Sequence, residues 1–312
     1  MSKRATREAY GQALLKLAGK YPNFVVLDAD LSAATKTNGF VAAYPERSLN
    51  VGIAEQNMVG VAAGISTTGL IPLAGTFSIF ATGRAYDQVR QSVAYSNLNV
   101  KIIGTHGGLT VGPDGATHQP VEDISMMRSM PNMTVIVPAD AIETEKAIEA
   151  VIKTPGPFFV RLGREAVPEI MPEDYSFEIG KAVTMREGKD ITIITTGVMT
   201  AKAVEAIEAL EAKGIDAEII NIHTIKPIDK EAIIKSVAKT GKVITAEEHS
   251  IYGGLGDMVN HVILSNSFDK VVQVENIGIE DTFGQTGSAD ELLQYYELTS
   301  ERIVKEAVGL LQ

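Results

Sequence analysis

Short apolar runs alternate with longer amphipathic stretches along the whole chain. Phe24–Leu27, Val100–Gly104, Thr134–Val137 and Phe158–Leu162 are rich in β-branched and aromatic residues and read as buried strands. Between them Ala5–Lys20, residues 55–68, Phe80–Tyr95 and Ile142–Lys153 carry helical spacing. Residues 165–186 break that rhythm with Pro168, Pro172 and acidic side chains, and read as a linker. The alternation then resumes: strands at Ile191–Thr195, Glu218–Ile222, Val243–Thr245 and Val271–Val274, and helices at Thr200–Lys213, Lys230–Lys239, from near Gly254, and from Ser300. This order predicts an α/β protein with a mostly parallel sheet between helices, followed by a smaller α/β unit. The expected division is residues 1–165, a linker at 166–186, and 187–312.

Composition narrows the chemistry. The 312 residues are 45% hydrophobic and 21% charged, ample for a sizeable core. A net charge of −11 argues against nucleic acid or an anionic membrane as a partner. With no Cys, thiolate nucleophiles, disulfides and Cys-based metal sites are excluded. No secretory leader or bilayer-spanning run is visible, so a cytoplasmic location is expected.

Three clusters could carry chemistry. In Val51-Gly52-Ile53-Ala54-Glu55-Gln56-Asn57 an acidic residue sits where an extended run turns into a helix. By itself that placement needs only the helix dipole to explain it. In Gly75-Thr76-Phe77-Ser78-Ile79-Phe80 two aromatic residues flank a strand end, a spacing more often used for packing. The loop Thr105–Pro120 is different: it follows a strand's carboxyl end and gathers His106, Asp114 and His118 among glycines. Open α/β sheets place ligands at such ends, and a long loop of this kind seldom serves packing alone.

Together the clusters resemble the transketolase family. The pattern T-H-x-x-x-x-x-G-x-D-G-x-T-H-Q-P matches without a gap from Thr105 to Pro120. Gly52-Ile53-Ala54-Glu55-Gln56, Arg128-Ser129-Met130-Pro131-Asn132 and Phe283-Gly284-Gln285-Thr286-Gly287 are similar to further family segments. The resemblance covers nearly the whole chain, but only the family's middle and C-terminal domains. It implies a thiamine-diphosphate enzyme that moves two-carbon ketol units between sugar phosphates, as in pentose phosphate metabolism. It also implies a Gly-Asp-Gly segment, followed by Asn, to hold the diphosphate and Mg2+ or Ca2+, and no Gly-Asp-Gly triplet occurs here. The expectation is therefore a subunit of a split enzyme, whose partner chain carries that motif, in a heterotetramer of two copies of each.

The resemblance assigns roles residue by residue. Glu55 would hydrogen-bond the aminopyrimidine and favour the tautomer that activates the cofactor, which supplies the hard chemistry itself. Phe80 would stack on that ring and Phe77 would line its pocket. A third family aromatic falls near Gly83, and Tyr86 is the substitute after a one-residue shift. Asp30, in Ala29-Asp30-Leu31, looks like a segment near the cofactor and the subunit interface. His106 and His118 would bond the sugar and shuttle protons, Asp114 would accept from a hydroxyl, and Arg164 would bind a terminal phosphate. Two departures bear on substrate choice: Gly107-Gly108 where the family commonly has Asp-Ser, and Asn50 where a charged group is frequent.

Other readings remain open. Deoxyxylulose phosphate synthase shares Gly-Ile-Ala-Glu-Gln and Arg84-Ala85-Tyr86-Asp87-Gln88, although the Thr117–Pro120 ending favours transketolase. An oxo-acid dehydrogenase beta subunit has a similar length but is expected to lack Thr-His-Gln-Pro. A non-catalytic binding module that kept the fold is the last alternative. In the second unit, Glu247-Glu248-His249 followed by Gly253-Gly254-Leu255-Gly256 could suggest phosphate binding, but the spacing fits a tight turn better. His223 and His261 read as structural histidines.

Overall fold

The computed structural model describes residues 2–312. The strands, in chain order, are β1 (Lys3–Ala5), β2 (Phe24–Asp28), β3 (Ser48–Asn50), β4 (Ile71–Phe77), β5 (Lys101–Thr105), β6 (Thr134–Ile136), β7 (Phe158–Arg161), β8 (Ala166–Pro168), β9 (Val183–Arg186), β10 (Ile191–Thr195), β11 (Ala217–Asn221), β12 (Thr224–Lys226), β13 (Lys242–Ser250) and β14 (Gln273–Ile279). β4, β5, β7, β10 and β11 are buried along their whole length, as expected of sheet centres covered by helices on both faces.

Two sheets result. The first has the order β12-β6-β7-β5-β4-β2-β3 and is parallel except for β12. The second has the order β14-β13-β10-β11-β9 and is parallel except for its edge strand β9. The expected α/β class is what is observed. Two cores lie on either side of the first sheet, and one of them extends into the second sheet through Ile194, Ile220 and Val243.

Residues 166–186 are more structured than their composition suggests. β8 pairs antiparallel with β1, Lys3 facing Pro168, and β9 pairs with β11. Asp140 also anchors this stretch, accepting the backbone N–H groups of Ile170 at 2.7 Å and Met171 at 2.8 Å. A three-residue strand such as β8, with no apolar run around it, carries too little periodicity to be seen in a sequence.

Helix ends follow the side chains available. Asp140 caps Ala141–Lys153 by accepting from the Glu143 N–H at 2.8 Å. Asp229 does the same for Lys230–Thr240, and Ser288 forms a reciprocal box with Glu291 ahead of Ala289–Tyr295. The expected helix Phe80–Tyr95 is irregular: Phe80–Arg84 and Val89–Tyr95 make wide i→i+5 turns around a break at Ala85. Such turns concentrate at functional sites. The expected helix Thr200–Lys213 is likewise broken, at Ala206. Among the described residues, no helix is long and apolar enough to cross a membrane.

Candidate active site

The carboxyl ends of β4 and β5 deliver the aromatic and histidine side chains to one place. β4 ends on Phe77, which is buried, and the chain turns at once into the irregular helix that begins with Phe80. The two rings lie nearly parallel, centroids 5.7 Å apart. β5 ends on Thr105, and His106 stacks on Phe77 at 3.8 Å between centroids. His118, from the far end of the same loop, points its edge at Phe80, 5.5 Å away, and at Phe77, 6.3 Å away.

His106 is held at φ +57°, a left-handed conformation unusual for a residue with a Cβ. Its hydrogen bonds fix a tautomer. Arg7 can only donate, and its Nη1 lies 3.2 Å from Nε2, so Nε2 accepts. The proton is then on Nδ1, which donates to Thr105 Oγ1 at 2.9 Å. Burial, followed by the nearby cations Arg7 and Arg164, pushes the imidazole down to about 3, so it stays neutral at ordinary pH. Arg7 also donates to the carbonyls of Arg164 and Ala34. Nothing in the sequence marked Arg7: it reaches this site from a helix 99 residues before His106.

Glu55 opens the helix Glu55–Ser66 and is only 2% exposed. Both carboxylate oxygens accept from Arg84 Nη1, at 3.1 and 3.0 Å. The Arg84 guanidinium in turn lies over the Phe80 ring, 4.2 Å from its centroid. Glu55, Phe77, Phe80, His106 and His118 thus form one cluster. A buried carboxylate that already bonds a flat N–H donor, beside parallel aromatic rings, fits one edge and one face of an aminopyrimidine.

Asp114 and Arg164 meet at 3.5 Å. Arg164 also donates to the Val111 carbonyl, pinning the loop, and it borders a cleft of about 500 Å³ with Lys3, Pro113, Thr286 and Ser288. His118 Nδ1 pairs with Thr117 Oγ1 at 2.9 Å, and its Nε2 has no protein partner among the described residues.

Two candidates stand apart. Tyr86 packs half-buried against the first core and makes no ring contact with Phe77 or Phe80. Asp30 is exposed at φ +64° and bonds Asn50. Asn50 accepts from Gly52 N at 2.8 Å, so it ties the Asp30 turn to the segment leading into Glu55. An amide serves because it accepts from two backbone N–H groups while donating to Asp30.

The second unit reaches into the loop. Glu248 accepts the Thr110 N–H at 2.6 Å, and Gln119 donates to the Gln285 carbonyl at 2.9 Å. Arg161, buried, bonds Asp123 at 2.7 Å and the Glu248 carbonyl at 3.0 Å, while Ser78 donates to the same Asp123 at 2.6 Å. These partners explain Gly107-Gly108. A Cβ on Gly107 would lie 2.8 Å from the Arg161 side chain, and one on Gly108, at φ +82°, 2.3 Å from the Glu248 carboxyl carbon. The Gly253–Gly256 turn is filled from within: the Glu247 carboxylate accepts the Leu255 and Gly256 N–H groups at 2.7 and 2.8 Å, occupying the helix N-terminus a phosphate would need. His223 is buried, its ring tilted against Phe177 at 4.2 Å between centroids, and bonded to Thr224, whereas His261 is exposed.

Residues 2–169 match the transketolase pyrimidine-binding domain, and residues 180–303 match the transketolase C-terminal domain. This chain belongs to the transketolase family. A protein of Methanocaldococcus jannaschii described as a transketolase C-terminal section is 50% identical, over 97% of this chain and 95% of that one. The 6-deoxy-6-sulfo-D-fructose transketolase subunit of a Clostridium species is 42% identical, over 96% of this chain and 92% of that one. A solved structure titled "Split gene transketolase, inactive beta4 tetramer" is 48% identical, covers 98% of both chains and superposes with a TM-score of 0.91. The transketolase pyrimidine-binding domain implies use of thiamine diphosphate. The family has separate-chain members of similar length.

Proposed function

We propose that this chain is the C-terminal subunit of a split transketolase, active only with a partner chain that holds the cofactor's diphosphate and a divalent cation. The observation that carries the reading is the half-site itself. Glu55, Phe77 and Phe80 can grip an aminopyrimidine, yet the chain has no Gly-Asp-Gly, and no group of three or more acidic or histidine side chains among the described residues could hold a metal ion. The counterparts described as a C-terminal section and as a split-gene transketolase support a separate N-terminal partner. Two domains joined through residues 166–186, a heterotetramer and a cytoplasmic location belong to the same proposal.

When bound, thiamine diphosphate supplies the nucleophilic carbon that carries the two-carbon unit. Everything else falls to side chains. Glu55 holds the ring edge by a hydrogen bond, and Phe77 and Phe80 fix its plane. His118 offers Nε2 to a sugar oxygen and moves the proton that leaves or returns to a hydroxyl during carbon–carbon cleavage. His106, neutral, hydrogen-bonds a second sugar oxygen once Arg7 yields Nε2. Asp114 accepts from a hydroxyl, and Arg164, at the mouth of the cleft beside it, pairs with the terminal anion by its planar fork of donors.

The test is reconstitution. This chain is mixed with a partner bearing Gly-Asp-Gly and assayed with a ketose phosphate donor, an aldose phosphate acceptor, thiamine diphosphate and magnesium. Ketol transfer that needs both chains is the expected result. Turnover with a sulfonated ketose instead would keep the reaction and change the terminal anion. Pyruvate consumption without ketol transfer would move the chain to the synthase reading, and no reaction in a well-formed complex would leave a binding module.

A further inference from the structure

The Glu55 carboxylate is buried, and an unpaired buried carboxylate is costly. In this structure it is paired, but with an arginine that lies in the way. Arg84 is planar, positively charged and rich in N–H donors. It bonds both Glu55 oxygens and at the same time lies 4.2 Å from the centroid of Phe80. Those are the two recognition features an aminopyrimidine would use: an N–H edge toward the carboxylate and a flat face on the phenyl ring. Both cannot hold this place together.

We propose that Arg84 is an internal stand-in for the cofactor's ring, which closes the half-site in the free chain and must swing out when thiamine diphosphate enters. This rests on the thiamine reading above. The position suits such a swing. Arg84 is 49% exposed while Glu55 is 2% exposed, so the cation has open solvent to move into and the carboxylate does not. It also ends the wide turn Phe80–Arg84, just before the break at Ala85, and its carbonyl is steadied by Gln56 Nε2 at 3.1 Å. The backbone can therefore stay in place while the side chain leaves. Gly83, beside it, lies in open space, where an added Cβ would meet nothing within 4 Å.

The consequence is a linkage. Whatever free energy Arg84 contributes to the free chain is subtracted from cofactor binding. Removing the side chain leaves Glu55 in need of a partner that the cofactor then supplies. Arg84→Ala should therefore tighten cofactor binding, by roughly threefold to tenfold for a partly exposed ion pair with a cation–ring contact. Arg84→Lys, which keeps the charge but loses the plane and the fork, should fall between.

The experiment measures thiamine diphosphate binding, by quenching of intrinsic tyrosine fluorescence and by calorimetry, to this chain reconstituted with its partner, as wild type, Arg84→Ala and Arg84→Lys. Tighter binding and faster holoenzyme formation in Arg84→Ala, with Arg84→Lys intermediate, support the stand-in. Unchanged affinity in a folded Arg84→Ala complex overturns it, and weaker binding overturns it too by making Arg84 a cofactor ligand. Failure of the wild-type complex to bind thiamine diphosphate would instead remove the thiamine reading, and this proposal with it.

Discussion

The cofactor pocket and the seam between the first unit and the second are both built from buried charge, yet they are built to opposite ends. In the seam, every charge is satisfied by protein. Asp123 has Arg161 and Ser78, Arg161 has two further carbonyls, and Glu248 has the Thr110 N–H. In the pocket, Glu55 rests on one half-exposed arginine, and His118 leaves a ring nitrogen without a protein partner. A satisfied network fixes a shape, whereas an incomplete one is where a ligand gains binding energy. The loop 105–121 stands between them, held on the seam side and open on the pocket side.

The largest effect expected from breaking this contrast is in the pocket. Glu55→Ala should lower ketol transfer by the reconstituted enzyme by about 10²–10⁴-fold, the usual yield of a positioned proton-handling group, with the circular dichroism of the chain unchanged. Activity within tenfold of wild type would show that Glu55 lacks this role.

In the seam the effect should instead be on stability. Arg161→Met strips Asp123 of its cation in a buried place, and unfolding in urea should report a loss of about 3–5 kcal/mol. A loss below about 1 kcal/mol would mean that the network is less enclosed than its geometry indicates.

His106 lies on the boundary, and pH tests it. Its folded pKa, about 3, is below the unfolded 6.5, so in that interval the unfolded chain binds a proton that the folded chain refuses. The stability it permits is present above pH 6.5 and is lost as pH falls toward 3. His106→Asn, which tolerates the left-handed backbone, should flatten that acid limb in thermal unfolding from pH 4 to 7. An unaltered slope would show that His106 takes up its proton alike in the folded and unfolded chain. The smallest effect should come from Tyr86→Phe: its hydroxyl has no hydrogen-bond partner among the described residues and its ring packs on the core, so stability and cofactor affinity should each stay within about 0.5 kcal/mol of wild type.

The sequence was most legible where chemistry and period coincide. The loop Thr105–Pro120 announced itself by gathering unusual residue types within a few positions, and the long strands by their apolar runs. Glu55 and the Phe77–Phe80 pair became readable only in combination, since each has an ordinary structural explanation alone. What stayed hidden is of two kinds. Arg7, Arg161 and Glu248 act across 99, 38 and 138 residues, on His106, Asp123 and Thr110 respectively, and no local pattern encodes such a meeting. The short strands β1, β3, β8 and β12 take their form from the partner they lie against. Gly107-Gly108 was visible as a departure from the family, but its cause, the lack of room beside Arg161 and Glu248, exists only in three dimensions.

The strand β12 sets a limit on how this polypeptide can be divided. It comes after β11 in the chain yet completes the first sheet, lying antiparallel on β6, with Thr224 opposite Ile136. A protease nick between residues 169 and 182 would leave the fragments clasped. A gene truncated there would produce a first half whose β6 edge is bare, inviting edge-to-edge aggregation in place of folding. Recombination that swaps the second unit must therefore bring a compatible β12 with it.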